Sequence, residues 1–311
     1  MAKQKLCIIT GPTAAGKTKL SIEFANSIGG EIISADSMQV YRYMDIGTDK
    51  IKPENMGGVR HHLIDFLDPK EDFNVFTFQK LAKEAIADIS SRGKIPIIVG
   101  GTGFYIQAVL YDIDFTETDE DDSYRAELEE RVRREGVHPV YEELMKVDPA
   151  SCEIIHENNS KRVIRALEYY RKTGRPISEH NKEQRNRDST YDFRYFVLTD
   201  RRDILYSRID KRVDLMIQEG LEDEVKSLMQ MDIPRTATSM QGLGYREMFG
   251  YLDGEYDLER AIYLIKRNTR HFAKRQLTWF KRERDVIWLD KNEFDHDDQK
   301  ILKEMLKYYE E

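Results

Sequence analysis

Apolar positions in the first third of the chain fall into short β-branched runs separated by longer stretches of helical periodicity. The runs at residues 6–10, 31–35, 62–66 and 95–99 predict strands. Between the last two, Phe78, Leu81, Ala82, Ala85, Ile86 and Ile89 recur at helical spacing, which predicts a helix with one face against a sheet. Strands alternating with helices predict a parallel α/β sheet. Two later runs, 193–199 and 286–289, return to strand pattern and are expected to join it.

Between these stretches the pattern changes. Residues 114–190 are charged and helical in period, so we expect an α/β core begun by residues 1–113, a helical insertion over 114–190, and a return with a helical C-terminal part over 191–311. The insertion opens on the acidic run at residues 117–122, read as a solvated linker or helix start, because carboxylates adjacent in sequence do not by themselves make a metal cage. Past Arg201, residues Ile209, Val213, Met216 and Ile217 share a helical face and Gly220 marks a stop.

Charge changes the picture more by its distribution than by its sum. The chain carries 49 basic and 57 acidic side chains, a net of −8 that argues against a generic polyanion binder. Two stretches run the other way: Lys161, Arg162, Arg165, Arg171, Lys172 and Arg175, then Lys266, Arg267, Arg270, Lys274, Arg275, Lys281, Arg282 and Arg284. A polyanion can be gripped there. Cys7 and Cys152, the two cysteines, offer neither a disulfide framework nor a thiolate zinc site. No long apolar run and no signal-peptide core is present, so a cytoplasmic protein with no membrane contact is expected, as a monomer.

The strongest chemical signal is Gly11-Pro12-Thr13-Ala14-Ala15-Gly16-Lys17-Thr18, which follows a predicted strand and opens a predicted helix. Glycines let backbone N–H groups turn around phosphate oxygens, the helix N-terminus adds its dipole, Lys17 adds a charge, and the Thr18 hydroxyl can ligate Mg²⁺. Such a loop recognises a di- or triphosphate without saying which bond breaks. For Asp65 two readings stand: a strand-end acid that holds Mg²⁺, as a kinase needs, or a turn residue before Pro69. Asp36 closes another predicted strand at the edge where open α/β sheets bind ligands, either as a proton acceptor or as a turn cap. Gly100-Gly101-Thr102-Gly103 ends a third, with room for backbone approach and a hydroxyl. Arg208 and Arg212, one turn apart, either reach phosphate or are solvated. The interleaved bases and aromatics of residues 274–282 suit contacts to RNA and, equally, a basic amphipathic helix that buries Trp279.

Taken together these segments resemble the bacterial tRNA dimethylallyltransferase family. The matching pieces are residues 11–18, 33–41, 44–48, 61–65, 100–105, 161–168, 242–247 and 274–280, in the family's order along nearly the whole chain. Departures are Ala15, where many members have Ser, and Leu243, where Ile is common. The resemblance implies a P-loop NTPase-like core and transfer of a dimethylallyl group from its diphosphate to N6 of the adenosine immediately 3′ of a tRNA anticodon. It implies Asp36 as the proton acceptor, Thr102 as donor to the bridging oxygen, and Lys17, Arg212, the loop amides of residues 11–18 and Mg²⁺ on Thr18 as holders of the leaving diphosphate. It also implies RNA contacts from Asp36, Ser37, Met38, Gln39 and Thr102, from Arg125, Lys161, Arg162, Val163, Ile164 and Arg165, and from Gly244, Tyr245, Arg275, Gln276 and Trp279. A P-loop small-molecule kinase, an adenylate prenyltransferase and an RNA-binding switch protein are the competing classes.

Overall fold

The computed structural model describes residues 3–115, 123–185 and 187–311; the acidic run at 117–122 lies outside them. Its strands are β1 (Gln4–Thr10), β2 (Gly30–Ser34), β3 (His61–His62), β4 (Ile95–Gly100), β5 (Tyr191–Thr199) and β6 (Val286–Asp290). They form one six-stranded sheet in the order β3-β2-β4-β1-β5-β6. Every pairing is parallel; in the centre Ile8 faces Ile98 on one side and Tyr195 on the other. Strands covered on both faces read as unbroken apolar runs, and the second half of β1 is buried throughout.

Helix α1 (Lys17–Ile28) starts on Gly16 and stops on Gly29, both left-handed. Helix α2 (Val75–Ser91) is longer at both ends than the periodicity predicts, because the Asn74 side chain accepts the Thr77 N–H and moves the start ahead of the first apolar repeat. Helix α3 (Gly103–Leu110) follows β4 directly. The strand predicted at 62–66 is cut to two residues. Leu63 and Asp65 have φ of 58° and 54°, left-handed values that no strand tolerates, and the segment turns to pair with residues 39 and 40.

The chain divides into two compact units, residues 1–110 with 190–311, and residues 111–189. The second unit holds α4 (Ser123–Glu135), α5 (His138–Val147), α6 (Pro149–Cys152), α7 (Ser160–Thr173) and α8 (Ile177–Arg185). Its core is Leu128, Val140, Leu144, Val163, Ile164, Ala166 and Leu167. The first unit resumes with α9 (Arg202–Gln218), α10 (Leu221–Met229), α11 (Tyr245–Leu252), α12 (Leu258–Phe280) and α13 (Asp298–Glu310). Phe24 and Phe196 meet edge-on in its core, with Leu20, Ile301 and Met305 around them. No helix among the described residues is long and apolar enough to cross a membrane.

Candidate active site

The loops after β1, β2 and β4 share the carboxyl edge of the sheet, where open α/β folds bind ligands. Gly11 has φ 146°, and a Cβ there would stand 2.3 Å from the Leu198 carbonyl oxygen, so the first loop position admits no side chain. Lys17 curls back to donate to the carbonyls of Gly11 (3.1 Å) and Pro12 (2.8 Å). Burial, and then the Arg212 charge, pull its pKa down to about 8.

Arg212 reaches the same loop from α9. One guanidinium nitrogen donates to the Thr13 hydroxyl at 3.0 Å and the other pairs with Asp49 at 2.8 Å. Its Nε is buried without a hydrogen-bond partner among the described residues, which suits an anion brought against it. Arg208 is disposed of differently: it donates at 2.8 Å to Asp200, whose carboxylate is fully buried. Of the two arginines, Arg212 alone contacts the phosphate loop.

Asp36 caps its turn and keeps one oxygen open. Its Oδ1 accepts the backbone N–H groups of Met38 (2.8 Å) and Gln39 (3.3 Å), closing the turn after β2. Its second oxygen takes no hydrogen bond among the described residues, and its charge acts on both Lys17 and Arg212. Thr102 donates its backbone N–H to the Ala35 carbonyl at 3.2 Å, tying the β4 loop to the residue before Asp36.

Helix α12 docks on these loops. Buried Gln276 accepts the Thr13 N–H at 2.9 Å and donates to the Gly101 carbonyl at 3.0 Å. A Cβ on Gly101 would lie 2.2 Å from the Gln276 amide and one on Gly103 2.2 Å from the Trp279 ring, so these glycines are required by the helix. Outward, Lys274, Arg275 and Arg282 make no ion pair among the described residues and, with His271, Thr278 and Trp279, line an open groove of about 440 Å³.

Several expected contacts need correction. Val163 and Ile164 are in the core of the second unit, so of the expected run 161–165 on α7 it is Lys161, Arg162 and Arg165 that present side chains to solvent. Arg125 is engaged in a two-pronged pair with Glu168 at 2.9 Å. Tyr245 is fully buried, and Gly244 is buried with it. Gln276 is a clamp rather than a surface group. Asp65 does not end a strand: it lies beyond β3 and accepts from Lys50 at 2.8 Å, as Asp45 does at 2.6 Å. No local pattern announces Asp49 or Glu224, which look like ordinary surface acids until the loops around them are folded. Thr18 is exposed at the start of α1. Mg²⁺ bound with phosphate oxygens needs only one or two protein oxygens, which this hydroxyl can supply; no cluster of three or more acidic, His or Cys side chains among the described residues forms a closed cage.

Comparison with known proteins identifies the family. Residues 39–283 match a protein-family model described as IPP transferase. A tRNA dimethylallyltransferase of Lachnoclostridium phytofermentans is 60% identical, covering 98% of this chain and 97% of its own. One from Acetivibrio thermocellus is 48% identical over 97% and 96%. Among solved structures, a tRNA isopentenylpyrophosphate transferase of Bacillus halodurans superposes with a TM-score of 0.73 at 47% identity, covering 98% of this chain and 96% of that one. A eukaryotic dimethylallyltransferase acting on tRNA gives 0.78 at 32% identity, over 92% and 74%.

Proposed function

The chain belongs to the IPP transferase family and is a dimethylallyltransferase acting on tRNA; we propose that it joins the dimethylallyl group of dimethylallyl diphosphate to N6 of the adenosine immediately 3′ of the anticodon. The observation that carries the site assignment is the convergence of Asp36, Lys17 and Arg212 on one phosphate loop.

The exocyclic amine of adenine is a weak nucleophile because its lone pair is delocalised. As N6 bonds to C1 of the dimethylallyl group, the C1–O bond to diphosphate breaks and N6 becomes cationic; the open oxygen of Asp36 takes its proton. Charge grows on the departing diphosphate. The loop amides, Lys17 and Arg212 meet it, and the Thr102 hydroxyl donates to the oxygen that had bridged to carbon. Thr18 would be the protein ligand of a Mg²⁺ bound with the diphosphate, which would supply further positive charge there. Lys161, Arg162 and Arg165 on α7, and Lys274, Arg275 and Arg282 on or beside α12, hold the RNA backbone.

The test is direct. Incubated with dimethylallyl diphosphate, Mg²⁺ and an anticodon stem-loop with consecutive adenosines, the protein is expected to add the mass of one dimethylallyl group less one hydrogen to the RNA. An unmodified RNA from folded protein would sink the assignment.

A further inference from the structure

Two segments singled out in the sequence, residues 44–48 and 242–247, take no part in the chemistry above. A single carboxylate joins them. Glu224, on α10, accepts the backbone N–H groups of Asp45 (2.8 Å), Ile46 (2.7 Å) and Gly47 (3.0 Å), and the Tyr245 hydroxyl at 2.7 Å. Charge-assisted bonds from consecutive backbone donors hold a loop far more firmly than neutral ones. Burial, with the Glu224 charge added, pushes the Tyr245 phenol well above its ordinary pKa and keeps it a donor.

The packing around this carboxylate admits little change. The Tyr245 ring lies 2.5 Å from where a Gly47 Cβ would stand, and the Met38 methyl 2.7 Å from where a Gly242 Cβ would. Gly47 is therefore demanded by close approach to the ring, whereas the Met38 methyl, at the end of a flexible side chain, gives way more readily at Gly242. The loop is closed on itself by the Thr48 hydroxyl, which donates to the Met44 carbonyl at 2.6 Å.

What the held loop presents is a pair of acceptors. The carbonyls of Thr48 (3.0 Å) and Asp49 (3.2 Å) both receive the Gln39 side-chain amide. The Gln39 backbone N–H in turn donates to Asp36 Oδ1. An unbroken path of hydrogen bonds and backbone thus runs from Glu224 to the carboxylate that accepts the proton.

We propose that Glu224 is a positioning residue for prenyl transfer: by anchoring the 45–47 loop it fixes Gln39 and, through Gln39, the aim of Asp36. The proposal rests on the reading of Asp36 as proton acceptor.

Glu224→Gln keeps the size of the side chain but turns an amide N–H toward backbone donors. Misplacement of a reacting group by about 1 Å costs up to about a hundredfold, so kcat for stem-loop modification is expected to fall ~10–100-fold while KM for both substrates stays within about threefold. In an Asp36→Asn background the same change is expected to cost less than about threefold more, because residues acting through one group do not add. A loss confined to KM, or a full additive loss in the double variant, overturns the proposal. Should Glu224→Gln not fold, Tyr245→Phe removes one bond to the carboxylate and keeps the ring against Gly47. It is expected to lower kcat ~3–10-fold, again only when Asp36 is present; unchanged kcat overturns the proposal. An Asp36→Asn enzyme as fast as the parent would instead refute the role of Asp36 itself, an outcome separable from additive losses on a slow Asp36 variant.

Discussion

Helices α7 and α12 both carry a basic stretch, but they spend their other faces differently. In α7 the apolar positions Val163, Ile164, Ala166 and Leu167 build the core of their own unit, so Lys161, Arg162 and Arg165 are a charged surface and nothing more. In α12 the inward face carries Gln276 and Trp279, which bear on the phosphate loop and the β4 turn. The same kind of charge pattern therefore sits on a helix that packs within its own unit in one case and on a helix bonded to the phosphate loop in the other. Under the proposed function, an RNA held by α7 gains affinity, and one held by α12 also leans on the phosphate loop.

The largest expected effect sets the scale for this comparison. Asp36→Asn removes the proposed proton acceptor without touching either helix, and single-turnover rates are expected to fall ~10²–10⁴-fold with RNA affinity unchanged; equal loss of rate and binding would make Asp36 a structural strand end. Next comes the coupling in α12. Gln276→Ala leaves the Thr13 N–H and the Gly101 carbonyl unpaired, which costs about 1–3 kcal/mol in denaturant unfolding, and kcat is expected to fall ~10–100-fold through the displaced loop. A Gln276→Ala enzyme that loses only RNA affinity would erase the distinction between the helices.

Replacing Lys161, Arg162 and Arg165 together by Ala probes the uncoupled case. RNA affinity is expected to drop ~10-fold or more and to depend less steeply on salt, with kcat at saturating RNA preserved; a loss of kcat would show that α7, too, is coupled. Smaller still is the effect of pH on the loop. A lysine whose pKa is lowered to about 8 is charged below that pH and neutral above it, and diphosphate prefers the charged form, so binding takes up a proton above pH 8 and weakens by up to about tenfold per pH unit. Calorimetry of diphosphate binding in buffers of different ionisation enthalpy reads that uptake; affinity that rises through this range would contradict it. The smallest change expected is from Asp49→Ala, which frees Arg212 of a competing carboxylate and tightens diphosphate binding ~3–10-fold. Weaker binding would mean that Asp49 aims Arg212 rather than competing for it.

Much of this architecture is written locally. Continuous β-branched runs become central strands wherever both faces are covered, and the spacing of residues 11–18 already specifies a phosphate loop, since the glycines and the lysine act through the backbone beside them. The strand end at Asp36 and the two basic stretches are legible for the same reason. Other features depend on partners distant in sequence, and no local pattern announces those. The strand expected at 62–66 fails because Leu63 and Asp65 turn left-handed, and Asp65 then goes to Lys50. Arg208 and Arg212 are indistinguishable by pattern; buried Asp200 claims the first and leaves the second to Thr13. Gln276 and Tyr245 look like surface contacts until folding buries them as a loop clamp and a carboxylate's donor. Propensity and motif spacing are short-range, so local pattern sets most of the elements and the chemistry at the edge of the sheet. Which charges are spent on each other, and which side chains hold the site in place, follows from the folded arrangement, because a hydrogen bond or ion pair is made by proximity in space.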